Sequence, residues 1–352
     1  MPSSSAAPPL AAHVVSPGLW ALAWRRLRAD RLAMAALAVL GAFLLMLLLS
    51  ATGVIAADWE RETGVHYAPP TFVGAAAPAA TAASAAAAAV PDNPFDPLAD
   101  DVRALRAQLQ SGGGSAGGAG EGAAPRRATL PFGADKWGHD VLLKTVKGGE
   151  TSIVVGLVSA FVAVGLGTLF GAVSGYYGGI VDDLFNWFYS VFTSIPSILM
   201  ILTVAAVLQQ RGVLTIVLIL GLTGWTGPYR LIRAEYIKHK AREYVMAADA
   251  IGASDWRKMF AHIFPNVSHV ALVQLSILAV GFIKAEVILS FLGFGVPVGV
   301  VSWGSMLNEA QNELILGKWW QLTAAAAAMA VLVTAFSLFT DALRDALDPK
   351  IK

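Results

Sequence analysis

Lys284 and Glu286 stand two residues apart inside a long apolar run, the most expensive place in this chain for an ionisable side chain. At the centre of a bilayer each costs about 3 kcal/mol unless it finds a partner. Side chains two apart on a helix do not face each other, so the two cannot neutralise one another directly. Paired intramembrane charges and inverted repeats are the marks of a secondary transporter driven by an ion gradient, and no internal repeat accompanies this pair. Other chemistries are excluded by residue type. The chain has no cysteine, hence no disulfide, thiolate metal site or cysteine nucleophile. Its six histidines (His13, His66, His139, His239, His262 and His269) are scattered, with no close helical pair of the kind that ligates a metal. Neither a G-x-x-x-x-G-K-[ST] phosphate loop nor a G-x-S-x-G elbow is present. This chain is therefore expected to be no enzyme and to carry no cofactor or metal. Any ATP that drives it must sit on another chain. A net charge of +1, with the basic residues not gathered into one patch, gives no nucleic-acid surface either.

The elements that hold these residues are membrane spans. The chain is 56% hydrophobic and only 14% charged, where globular proteins average about 25% charged. Its apolar residues lie in runs long enough for the roughly 20-residue helices that cross hydrocarbon. The first run, 32–56, follows Arg25, Arg26, Arg28 and Arg31. It is too long and starts too late for a signal peptide, and reads as an uncleaved anchor. Five further spans are expected near 151–175, 184–208, 213–232, 267–291 and 319–341, making an all-α integral membrane protein with six transmembrane helices. Gly167, Gly171 and Gly175 put small residues on one face, inviting close helix approach. Pro196 should kink the third span, and Gly227-Pro228 should distort the end of the fourth. Between the first two spans, residues 57–130 form a low-complexity excursion marked by Pro69-Pro70, the alanines of 85–89 and Gly112-Gly113-Gly114, with room for a short helix near 100–110. Placing the N-terminus inside puts 14 of the 25 Lys and Arg residues on the cytoplasmic side. The eight in 57–150 belong to a long loop, which translocates largely regardless of charge. Both termini are thus expected in the cytoplasm, with residues 1–31 and 344–352 as cytoplasmic tails.

Between the fourth and fifth spans lies a hydrophilic stretch, 233–266. Tyr244, Ala247, Ala248 and Ile251 follow i, i+3, i+4, i+7 spacing, and Trp256, Met259, Phe260 and Ile263 repeat it. Gly252 is a natural stop for the first helix, Ser254 or Asp255 can cap the second, and Pro265 is expected to end it. Two short amphipathic helices on a glycine elbow result, lean enough in side-chain bulk for a partner's backbone to come close.

Met246-Ala247-Ala248-Asp249, Gly252 and Phe264-Pro265 resemble the E-A-A-x-x-x-G-(x)12-[LF]-P loop of ABC importer permeases, with Met246 at the glutamate and His262 at the isoleucine. Glu286, then Leu289-Ser290-Phe291-Leu292-Gly293-Phe294-Gly295, Pro297 and Ser302-Trp303-Gly304, resemble the E-x-x-L-S-F-L-G-x-G-x-P…S-W-G signature of the C-type permeases of dipeptide, oligopeptide and nickel importers. Gly133, Asp135, Gly138, Asp140, Val141 and Leu142 are similar to their G-T-D-x-x-G-R-D-V-L segment, with Ala134 and His139 replacing threonine and arginine. Glu150 stands where that family has an arginine, and Trp225, Arg230 and Arg233 match the basic end of its fourth span.

The resemblance implies a type I importer permease core over 131–343 behind an N-terminal anchor helix, in a bacterial inner membrane. Its implied partners are a second homologous permease, two cytoplasmic ATPase subunits that hold ATP and Mg, a periplasmic substrate-binding protein and membrane lipid. The loop around Ala247–Gly252 would then be the coupling helix that docks into the ATPase. Peptides are the first expected cargo and nickel the alternative. An anchored scaffold without transport would leave the two-helix loop unexplained.

Overall fold

The computed structural model describes residues 19–74, 126–210, 212–297 and 299–347. The expected helix near 100–110, with most of the alanine- and glycine-rich stretch, lies outside them. Regular structure among the described residues is helical, joined by isolated β-bridges such as Glu62 with His139 and Gly64 with Arg127.

Helix α1 (Leu19–Ala29) ends at Asp30, whose carboxylate accepts hydrogen bonds from the amides of Leu32 (2.8 Å) and Ala33 (3.3 Å) and so caps α2 (Arg31–Ala51). That helix stops five residues short of the expected 56, because Gly53 turns it off at φ +73°. Its left-handed conformation lets the Val54 amide reach back to the Leu49 carbonyl at 2.9 Å. Helix α3 (Val141–Tyr177) begins ten residues before the expected second span, since Asp140 caps it by accepting from the Leu142 amide at 2.8 Å. The expected third span is α4 (Gly179–Thr193) and α5 (Ser197–Leu208), bent by 84° where Pro196 begins the second piece.

The expected fourth span is broken into α6 (Val213–Thr223) and α7 (Thr226–Lys240). The break precedes Gly227-Pro228: a proline ring clashes with the carbonyl four residues earlier, here that of Gly224, and the chain leaves the helix at that point. Helix α8 (Glu243–Ala250) follows. The next helix, α9, runs unbroken from Asp255 to Phe291 through a π-helical segment, Lys258–Ile263. Pro265 therefore does not end a separate second helix. The wider π turn, in which the Phe264 amide bonds to the Met259 carbonyl, removes the clash that a proline would otherwise impose on the preceding turn. Helices α10 (Trp303–Ile315) and α11 (Trp320–Leu347) complete the chain.

Among the described residues four helices, α2, α3, α9 and α11, are long and apolar enough to cross a membrane, and a fifth crossing results if α4 and α5 count as one. Eleven-residue α6 is apolar but short.

The chain forms two compact units. The first is built from Met1–Leu45, Ile153–Glu286 and Ala330–Lys352, the second from Met46–Ser152 and Val287–Met329. In the first unit the glycine stripe lies flat on α7. A Cβ on Gly167, Gly171 or Gly175 would stand 2.6, 2.8 and 2.6 Å from the carbonyls of Trp225, Tyr229 and Arg233. Each successive glycine thus admits the next turn of α7, the contact that small residues at four-residue spacing permit. Aromatic rings fill the space beside it, with Phe188 stacked on buried Trp225 at 5.3 Å.

Candidate coupling loop and buried charge cluster

In the first unit, α8 stops in a Schellman turn. Gly252 sits at φ +78°, its amide bonds to the Asp249 carbonyl (2.9 Å), and the Ala253 amide bonds to the Ala248 carbonyl (3.0 Å). Nothing lies within 4 Å of where a Cβ on Gly252 would be, so within this chain its conformation, and not crowding, calls for glycine. Ser254 occupies the cap position of α9 without a side-chain capping bond. Asp255 instead accepts from the Tyr176 hydroxyl at 2.8 Å and pairs with Lys258 at 3.0 Å.

Lys258 is the centre of the elbow. Its ammonium also reaches Asp249 on α8 at 2.5 Å, so one cation ties both arms together. The elbow rests on α3 and α7 through a core of Tyr176, Tyr236, Val245, Met259, Ile263 and Val267, and the Tyr236 hydroxyl donates to the Met259 carbonyl (3.1 Å), which also accepts from the Phe264 amide of the π turn. Behind this, Arg233 holds Asp182 with two bonds of 2.6 Å each, the fork geometry that only arginine offers a carboxylate.

The outward face carries Met246, Ile251 and Trp256 with relative exposures of 55, 84 and 63%. Ala247 is exposed beside them, while Val245 and Ala248 point into the core. Of the Tyr244, Ala247, Ala248 and Ile251 stripe only Ala248 is buried on α8. Tyr244 and Ile251 face out because Val245 and Ala248, three apart, take the buried side. Phe264 is half-buried against the core and Pro265 is exposed. Glu286 is fully buried in this unit, whereas Lys284 is exposed, as their two-residue spacing requires.

The second unit gathers the other signature residues. Gly138, at φ +88°, packs so closely on the Gly64 backbone that a Cβ would meet its carbonyl at 2.3 Å. That turn aims fully buried Asp135 at the amides of Trp137 (2.8 Å) and His139 (3.0 Å), the His139 ring (3.0 Å) and the Lys144 ammonium (2.7 Å). Burial pushes the Asp135 carboxyl up, but the Lys144 charge and these bonds outweigh it and hold it below its ordinary value. Lys144 further donates to Glu309 (2.6 Å) and Gln321 (3.4 Å).

Trp303 is fully buried, donates from its ring to the Thr145 carbonyl at 2.9 Å, and lies against Gly149, where a Cβ would come within 2.8 Å of the ring. Ser290 accepts from the Val296 amide, and Gly293 (φ +85°) and Gly295 let the chain fold back over Ser290 ahead of half-buried Pro297. Glu150, at the arginine position of the resemblance, is paired with Lys147 (2.8 Å) and accepts from Ser50 (2.5 Å).

Sequence reasoning passed over Lys144, Lys258, Glu309 and Glu313. A usable signal existed for the last. Met306, Ala310 and Glu313 share one buried stripe of α10, and a carboxylate on an apolar stripe is an anomaly.

Residues 167–352 match the family described as binding-protein-dependent transport system inner membrane component, and residues 18–70 match the N-terminal domain of oligopeptide transport permease C. The chain belongs to this permease family. It is 34% identical to the dipeptide transport system permease protein DppC of Bacillus subtilis over 65% of this chain and 71% of the relative. It is also 34% identical to the oligopeptide transport system permease proteins OppC of Bacillus subtilis and Haemophilus influenzae, over 63% and 62% of this chain and 72% and 70% of theirs. As an inner-membrane component of a binding-protein-dependent system, this permease is a multi-pass transport subunit and not an enzyme.

Proposed function

We propose that this permease moves di- or oligopeptides inward across the inner membrane, driven by ATP hydrolysed on separate subunits. The observation that carries the coupling role is the elbow itself. Three large apolar side chains, Met246, Ile251 and Trp256, stand exposed on a turn that Lys258 and a buried aromatic core hold rigid. An exposed apolar cluster on a rigid support is a docking surface, and a rigid support transmits displacement. Closure of the ATPase pair would move this elbow, and α9, continuous from Asp255 to Phe291, would carry that movement into the membrane. The peptide cargo rests on the names of the relatives.

The same reading has six spans, α6 and the start of α7 making the fourth, with both ends in the cytoplasm. A second homologous permease completes the path, a periplasmic binding protein delivers the peptide, and ATP and Mg reside on the ATPases. Helix α2 is the anchor, 57–130 the periplasmic excursion, and 131–343 the permease core. Accumulation of a labelled peptide in proteoliposomes holding all subunits, with ATP and no ion gradient, tests this. Uptake that needs an ion gradient and ignores ATP would overturn it. Single cysteines at Ala85 and Ala253 test the orientation: an impermeant thiol reagent should label only position 85 in cells with permeabilised outer membranes.

A further inference from the structure

Glu313 is 1% exposed, and neither of its carboxyl oxygens has a hydrogen-bond partner among the described residues. A buried carboxylate in that condition is strongly disfavoured, because it forfeits hydration and makes no hydrogen bond in return. The Lys144 charge eases this only in part, because its ammonium makes no hydrogen bond to Glu313. Lys144 has three N–H donors, and Asp135, Glu309 and Gln321 take all three.

The surrounding charges deepen the problem. The 126–140 loop contributes Asp135, with the His139 ring bonded to the same Oδ2 that Lys144 reaches, and the Lys136 amide as weak relief. Helix α3 contributes Lys144, α10 contributes Glu309 as well as Glu313, and α11 contributes only the uncharged Gln321. Three carboxyl groups therefore share one ammonium, and Glu313 is the one left over.

We propose that Glu313 is a proton-binding site: it holds a proton while α10 is packed in the second unit, and losing that proton loosens α10. This stands apart from the transport reading and from membrane orientation. Burial pushes the Glu313 carboxyl up to about 7, where an unfolded chain has it near 4.3. The folded unit then binds more protons than the unfolded one between those values, so stability falls as pH rises through that window and is level above it. At the steepest part the opening equilibrium shifts by up to about tenfold per pH unit.

The test uses the purified transporter in nanodiscs. Hydrogen exchange of the Met306–Glu313 amides, corrected for intrinsic base catalysis, should speed up several-fold from pH 5.5 to 8 in wild type. Glu313→Gln and Glu313→Met, neutral at every pH, should show no such change. Infrared spectra at pH 5.5 should contain a protonated-carboxyl band that falls at pH 8.5 and is missing in Glu313→Gln. Equal pH dependence in wild type and Glu313→Gln would overturn the proposal. So would a slope abolished by His139→Gln but kept in Glu313→Gln. If neither variant folds, an infrared band in wild type that does not change with pH decides against it.

Discussion

Lys258 reaches across the elbow to Asp249, with 2.5 Å between Nζ and Oδ1, and joins α8 to α9 although the two residues stand nine apart in the chain. The same ammonium pairs with Asp255, which is in turn held by the Tyr176 hydroxyl, so α8, α9 and α3 meet at one cation. With both carboxylate partners solvent-exposed the bridge adds little to stability, and its use is to fix an angle. Lys258→Met should therefore leave membrane insertion and assembly intact while substrate-stimulated ATP hydrolysis falls several-fold. Asp249→Asn, which removes one of its two carboxylate partners, should give a smaller loss. Unchanged stimulation in both variants would show that the elbow keeps its angle by apolar packing alone.

A different outcome is expected at the glycine stripe. A Cβ on Gly171 would lie 2.8 Å from the Tyr229 carbonyl, a backbone atom that cannot swing aside. Overpacking of this kind typically costs about 1–3 kcal/mol. Gly171→Ala should lower the melting temperature of the purified permease, and Gly171→Leu should abolish accumulation in the membrane. Gly165, with open space around it, is the control: Gly165→Ala should melt as wild type does.

Asp135 and Lys144 give a prediction with a sign in pH. Breaking a buried ion pair by removing one partner costs about 3–5 kcal/mol, because the other charge is stranded. Asp135→Asn should accordingly destabilise the permease at pH 7. In wild type the Asp135 carboxyl is held below its ordinary value. Its contribution is complete above the unfolded value near 3.9 and drains away as pH falls through the lower folded one. Melting temperatures of wild type and variant should converge only in strong acid. Parallel curves down to pH 2 would place the stabilisation elsewhere.

What the sequence disclosed and what it hid follow a physical division. Signals that act within a few residues were legible: the apolar runs, the helix stop at Gly252, the 84° bend at Pro196 and the close approach implied by Gly167, Gly171 and Gly175. The transport family was also legible, from the signature around Glu286–Gly304 and the Ala247–Pro265 loop. Boundaries shifted where a cap decided them, as when Asp140 started α3 ten residues early. Pro265 was misread because a proline's usual effect assumes the four-residue hydrogen-bond ladder, and the π turn at Lys258–Ile263 departs from it. The Asp135–Lys144–Glu309 cluster was hidden because its members lie up to 174 residues apart and only folding brings them together.

Gly252 bears most directly on the proposed coupling. At φ +78° a side chain strains the backbone, and replacing glycine there costs on the order of 1 kcal/mol. Within this chain a larger residue meets nothing, since no atom lies within 4 Å of the Cβ position. Gly252→Ala should therefore insert normally and keep most of its activity, losing only what the strained turn takes away. Gly252→Trp adds the same strain and then a large ring on the face that carries Ile251 and Trp256. If that face meets an ATPase, the ring must push the partner off. Gly252→Trp should then stay inserted and paired with its sister permease, yet fail to co-purify with the ATPases or lose substrate-stimulated hydrolysis. The gap between the alanine and tryptophan variants isolates the docking effect from the backbone effect. Equal, near-normal stimulation in both would leave Gly252 as a helix stop and remove the coupling role from this elbow.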